Sequence, residues 1–131
     1  LHVREKLSLC YYASSQLEKL KGVMLVSSGV EFDKVDQARE EILAQLAACQ
    51  RGEFEDWELE GARRSVVSAL HSAMDAQARL EDFWLGQAVA GLTEDPEALA
   101  RRVENVTREQ VAAAFSSLQL DTIYFLKGRE A

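Results

Sequence analysis

Leu9-Cys10-Tyr11-Tyr12-Ala13-Ser14-Ser15-Gln16-Leu17, followed after a short connector by Val23-Met24-Leu25-Val26-Ser27-Ser28-Gly29-Val30, is the stretch that decides the fold. In the first run Leu9, Tyr11, Ala13, Ser15 and Leu17 recur at period two, the spacing that places alternate side chains on one face of a strand. The second run is almost continuously apolar. Between them Glu18 to Gly22 is polar and ends in glycine, so the pair predicts an antiparallel hairpin.

Downstream the period changes from two to three and four. Asp33 offers an N-cap, and Val35, Ala38, Ile42, Leu46 and Cys49 form one apolar stripe that Gly52 closes, which predicts an amphipathic helix. From Asp56 to about Leu92 there is no proline. Leu59, Ala62, Val66, Leu70 and Ala73 make one stripe and Ala78, Leu85, Ala88 and Leu92 another, so two helices are expected to meet near Asp75. Asp95 followed by Pro96 reads as an N-cap with proline at the first helical position, and Leu99 and Val103 supply that short helix with its apolar side. Thr107 with Gln110 makes a capping box for a last helix, with Val111, Ala114, Phe115 and Leu118 facing inward. Thr122 to Leu126 is β-branched and aromatic, ends at Gly128 and predicts a third strand.

The order is strand, strand, several helices, strand. It lacks both a βαβ rhythm and a glycine-rich phosphate loop, and so points to an α+β fold: an antiparallel sheet of hairpin plus C-terminal strand, with helices packed on one face. Residues 1–131 read as a single domain. The start, Leu1 to Lys6, looks helical but has neither an initiator Met nor a capping residue before it. Three strands are few for such a sheet. The expectation is a fragment truncated at its N-terminus, its missing strands upstream, with an exposed strand edge through which a second copy or a partner can pair.

Composition narrows the function. With 15 Lys plus Arg against 22 Asp plus Glu the formal charge is −7, the wrong sign for holding a phosphate backbone, so nucleic acid is not an expected partner. Apolar residues at 47% and charged residues at 28% are in globular proportion. No apolar run reaches the roughly 18 residues that a membrane helix needs. Cys10 and Cys49 are too few for a secreted disulfide framework, and a cytoplasmic protein with reduced cysteines is expected.

Catalytic candidates are scarce. His2 and His71 are the only histidines, and neither a His-Glu-x-x-His nor an inverted His-x-x-Glu-His pattern is present, so no self-contained zinc site or other cofactor is expected in this chain. His71 and Asp75 stand four apart on a predicted helix, a spacing that could hold a metal, but two ligands without a third read first as a helix-surface pair. Cys10, with His2 as a basic neighbour, is weighed as a nucleophile against its simpler role as a small core residue. The acidic pair Glu40-Glu41, the acidic run Glu53 to Glu60 and the basic pairs Arg63-Arg64 and Arg101-Arg102 read as solvated helix faces, and Trp57, Phe83 and Trp84 as packing residues. One constellation remains. Arg4 and Tyr11 are 11 − 4 = 7 positions apart, across a predicted helix-to-strand turn that could bring them to one edge of the sheet. A guanidinium fork and a phenol hydroxyl together suit a peptide carbonyl or a developing oxyanion. An Arg paired with an acid and a Tyr packed in the sheet is the plainer alternative.

The run Val3-Arg4-Glu5-Lys6-Leu7-Ser8-Leu9-Cys10-Tyr11-Tyr12 resembles a segment in the C-terminal domain of pitrilysin and insulinase-type zinc peptidases, including their bacterial paired-subunit relatives. Lys21-Gly22 into the strand ending at Ser28-Gly29, the helix reaching Arg51-Gly52-Glu53-Phe54, Val106 to Val111, and Leu120 to Gly128 are similar to the same domain in the same order. The resemblance implies the non-zinc domain of such a metallopeptidase, or of its inactive partner subunit. Zinc would lie in the N-terminal domain of the parent or in a partner subunit. By motif position Arg4 would hold the peptide substrate and Tyr11 would both bind it and polarise its scissile carbonyl, opposite the zinc. Tyr12 would leave the other face of the strand. The fragment alone would not be an enzyme, whereas the parent or its complex would be a zinc endopeptidase. Two rival classes stand beside this reading: a purely structural subunit of the same fold, and an unrelated acidic protein-interaction domain.

Overall fold

A computed structural model of the chain describes residues 10–128. The expected opening helix lies outside the described residues, as do Arg4 and His2. Strand β1 runs over Cys10–Glu18 and β2 over Val23–Val30. They pair antiparallel, from Glu18 with Val23 at the turn to Cys10 with Val30 at the open end. Four residues make the turn, closed by the Lys21 amide donating to the Glu18 carbonyl at 3.0 Å. Gly22 sits at φ 64°, a left-handed conformation that costs glycine nothing sterically.

Five α-helices follow: α1 over Val35–Arg51, α2 over Asp56–Met74, α3 over Gln77–Ala90, α4 over Pro96–Glu104 and α5 over Arg108–Ser116. Their ends carry the expected chemistry. Gly52 closes α1 at φ 70°, and its amide reaches back to the carbonyls of Ala48 and Cys49. The Asp95 carboxylate accepts from the Ala98 amide at 2.7 Å with Pro96 opening α4, and Thr107 and Gln110 form a reciprocal capping box on α5. The long helical stretch breaks after Met74, with Asp75 as the cap of α2.

Two expectations about the elements need correction. Asp33 is not the N-cap of α1: a 3-10 turn over Phe32–Lys34 intervenes, closed by Lys34 N–H donating to the Glu31 carbonyl at 3.0 Å, and Lys34 occupies the cap position. The third strand at Thr122 to Leu126 is not formed, and the sheet among the described residues has two strands. Composition selects an extended chain, but a strand also needs a neighbouring backbone to supply its hydrogen bonds. Here the segment is held by side chains, Phe125 edge-on to Phe32 with ring centres 6.3 Å apart and Lys127 Nζ 4.9 Å from the same ring.

The inward faces of α2 and α3 also differ from the apolar stripes. Ala62 and Val66 are exposed, and Arg63 and Val67 take the half-buried positions between Leu59 and Leu70. On α3, Ala78, Leu85, Ala88 and Leu92 face out, while Leu80, Phe83 and Gln87 face in. Trp57 and Trp84 are exposed as well. The cause is tertiary. α2 packs on α4 and α1 on α5, and polar side chains with long apolar stems reach across these seams. Arg63 Nε donates to the Val106 carbonyl at 2.9 Å, and Gln50 Nε2 donates to the carbonyls of Phe115 and Leu118 at 3.3 and 3.2 Å. The hairpin meets this helical layer where Val30 and Ile42 pack on Ala38, which is only 2% exposed.

Candidate functional site

The ladder is irregular at the open end of the hairpin. Cys10 pairs with Val30 and Tyr12 with Gly29, so β1 carries Tyr11 as one extra residue opposite two consecutive residues of β2. Such a bulge re-aims side chains and locally ends regular pairing. Tyr12 crosses the strands, its ring lying against the backbone of Gly29, while the Ser28 hydroxyl donates to the Tyr12 carbonyl at 3.0 Å. Tyr11 is 71% exposed. Its hydroxyl donates to Glu31 Oε1 at 2.9 Å, at the residue that follows β2.

Glu31 has a second partner. Its Oε2 lies 3.3 Å from Lys34 Nζ at the end of the 3-10 turn. The Glu31 carboxylate, by its hydrogen bond first and its charge second, pushes the Tyr11 phenol above its ordinary 10.0. The same hydrogen bond, followed by Lys34, holds the Glu31 carboxyl below the usual carboxylate range. A phenol is already protonated at neutral pH, so Tyr11 is a hydrogen-bond donor there, and the contact extends that state further into the alkaline range. Phe32, in the same turn, receives Phe125 and Lys127, so the C-terminal segment comes to rest beside this cluster.

The structure brings Tyr11 together with Glu31 and Lys34, which sequence reasoning did not single out. No spacing announces the pair, because the contact spans 20 positions and depends on the bulge. Other sequence candidates fare differently. His71 and Asp75 are both exposed, and among the described residues no group of three or more His, Cys, Asp or Glu side chains is placed to hold a metal. Cys10, the cysteine weighed as a nucleophile, has a side chain that lies outside the described residues; Cys49 is a free, half-buried thiol whose acidity burial suppresses, with the Glu58 charge adding to the effect. That is the reverse of an activated nucleophile. The basic pair Arg63-Arg64 is divided, for Arg64 makes an exposed ion pair with Glu60 at 2.8 Å while Arg63 ties α2 to the link before α5. Arg108 ties the α1–α2 connection in the same manner, donating to the carbonyls of Gly52 and Phe54 and to Asp56. Among the described residues no helix is long and apolar enough to cross a membrane.

Comparison with known proteins bears on this geometry. The family described as the Peptidase M16 inactive domain matches residues 1–66, which include the hairpin, the Tyr11 bulge and Glu31. A Bacillus subtilis protein named "Probable inactive metalloprotease YmfF" is 36% identical over 130 residues, 99% of this chain. A solved structure, that of a conserved protein from Enterococcus faecalis V583, superposes with a TM-score of 0.77 at 25% identity over 86% of the chain. The chain spans 30% of the length of the first and 27% of the second.

Proposed function

The chain belongs to the Peptidase M16 inactive-domain family, and from that premise we propose that it is the metal-free half of a peptide-binding chamber. In this reading Tyr11 donates its hydroxyl hydrogen to a backbone carbonyl of the bound peptide, and Arg4 grips the neighbouring backbone with its guanidinium fork. A zinc-bearing peptidase domain or subunit is the partner that faces it. Where that partner is active, its zinc would supply the nucleophilic water, and the role of Tyr11 would be to polarise the scissile carbonyl as negative charge develops on its oxygen. Where it is not, the same donors hold a peptide without cleavage, a variant favoured by the word "inactive" in the name of the Bacillus relative. The observation that carries the reading is the exposed Tyr11 hydroxyl, set at a bulge in the ladder at the open end of the hairpin.

The test is peptide affinity of the full-length protein, measured by fluorescence anisotropy with a labelled β-casein peptide. Tyr11→Phe should weaken binding about three- to tenfold, the loss of one neutral hydrogen bond. Arg4→Ala should weaken it by more, because a charge-assisted fork is removed. In a complex that cleaves the peptide, Tyr11→Phe should also lower kcat by about ten- to a thousandfold, as expected for one oxyanion donor. Tyr12→Phe is the control. Unchanged affinity in both Tyr11→Phe and Arg4→Ala, at unchanged melting temperature, overturns the proposal.

A further inference from the structure

A tyrosine hydroxyl has one hydrogen to donate. That of Tyr11 is already committed, at 2.9 Å, to a carboxylate that Lys34 holds from its other oxygen at 3.3 Å. We propose that Glu31 is a specificity-setting residue that competes with the peptide carbonyl for the Tyr11 hydroxyl, so that only a carbonyl presented by additional contacts displaces it. The proposal rests on the peptide-binding reading of Tyr11 and adds a residue to it.

Chemistry sets the direction of the competition. A carboxylate is intrinsically a stronger acceptor than an amide carbonyl, but this one is exposed and competes with water for the phenol, so a carbonyl that the rest of a bound peptide shields from water takes the phenol from it. Both partners are exposed, which makes the competition modest, and Lys34 keeps Glu31 in place when the phenol departs. A loosely held carbonyl therefore fails to capture Tyr11, and a peptide gripped at several points succeeds. Bulge, turn and ion pair act together: the bulge frees Tyr11 from the ladder, and the turn over Phe32–Lys34 places Lys34 within reach of Glu31.

A double-mutant cycle in the full-length protein tests this, with the same labelled β-casein peptide. Glu31→Ala should tighten binding about three- to tenfold, because the phenol no longer has to be taken from an acceptor. Glu31→Gln keeps an oxygen that accepts but no charge, and should fall between Ala and the native residue. In a Tyr11→Phe background Glu31→Ala should change nothing. A tightening of equal size in that background would show that Glu31 acts on the peptide directly through its charge, and would overturn the competition. So would Glu31→Ala leaving affinity unchanged, or weakening it, while Tyr11→Phe still weakens it; peptide binding by Tyr11 would then stand without Glu31. If Tyr11→Phe itself has no effect, both the competition and the binding role of Tyr11 fall. Melting temperatures of all variants separate these outcomes from loss of the fold.

Discussion

The ring of Tyr12 lies so close to the backbone of its cross-strand partner Gly29 that a β-carbon at residue 29 would stand 2.5 Å from Tyr12 Cε1 and 2.9 Å from Cδ1. Glycine in a strand interior ordinarily weakens it, having no side chain to pack. Here an aromatic ring from the opposite strand covers the gap, in the residue pair next to the bulge that carries Tyr11.

Gly29→Ala should therefore destabilise the protein by about 1 kcal/mol, because the ring must leave its position and the cross-strand packing is lost. In a Tyr12→Ala background the same substitution should cost nothing, since the obstructing ring is gone. Thermal melts of the four proteins measure both steps, and a Gly29→Ala melting temperature equal to that of the native protein would contradict the packing described.

Arg108 is expected to resist conservative replacement. Its guanidinium donates to the Gly52 carbonyl at 2.7 Å, to the Phe54 carbonyl and to Asp56 Oδ1 at 2.5 Å, and lies 4.7 Å from the centre of the Phe54 ring. A lysine ammonium has neither the planar fork nor the stacking face. Arg108→Lys should thus lose nearly as much stability as Arg108→Ala, about 1–3 kcal/mol for two carbonyls left without that partner. Urea unfolding at equal protein concentration is the measurement, and a lysine variant as stable as the native protein would show that charge alone suffices.

The Tyr11–Glu31 contact should break at both ends of the pH scale. Glu31 has a depressed carboxyl, so its contribution is present above the ordinary carboxylate pKa and is lost as pH falls through the lower folded value. Tyr11 has a raised phenol, so its contribution is present below 10.0 and is lost as pH rises through the higher folded value. Carbon-13 NMR titration of labelled tyrosine should find one ring, assigned by its disappearance in Tyr11→Phe, that ionises above pH 10.0. Glu31→Gln should return that ring toward the ordinary value. A Tyr11 signal that titrates at the ordinary value with Glu31 intact would remove the hydrogen bond from solution.

Much of the local structure was legible in the sequence because its signals are local. The hairpin follows from period two on either side of Gly22, the helix breaks at Gly52 and Asp75 from glycine and polar punctuation, and the caps at Asp95 and Thr107 from side chains that satisfy amides three residues away. Resemblance across the segment that includes Arg4 and Tyr11 led to the family that the comparisons show.

What only the tertiary structure decided is what needs a distant partner. Thr122 to Leu126 has strand composition, yet no strand forms there, because a ladder requires a second backbone and the segment instead packs Phe125 and Lys127 on Phe32. Periodicity could place Val66 and Leu85 on apolar stripes but not choose the side of each helix that is covered; the less exposed sides carry Arg63 and Val67 on α2 and Phe83 and Gln87 on α3. Glu31 had no signal of its own. It reaches Tyr11 because one extra residue in β1 shifts the register at the end of the hairpin, and register is a property of two strands together. The sequence by itself determined the elements, their ends and the exposed phenol's place in the chain. The acceptor that holds that phenol was decided by pairing across 20 positions of sequence.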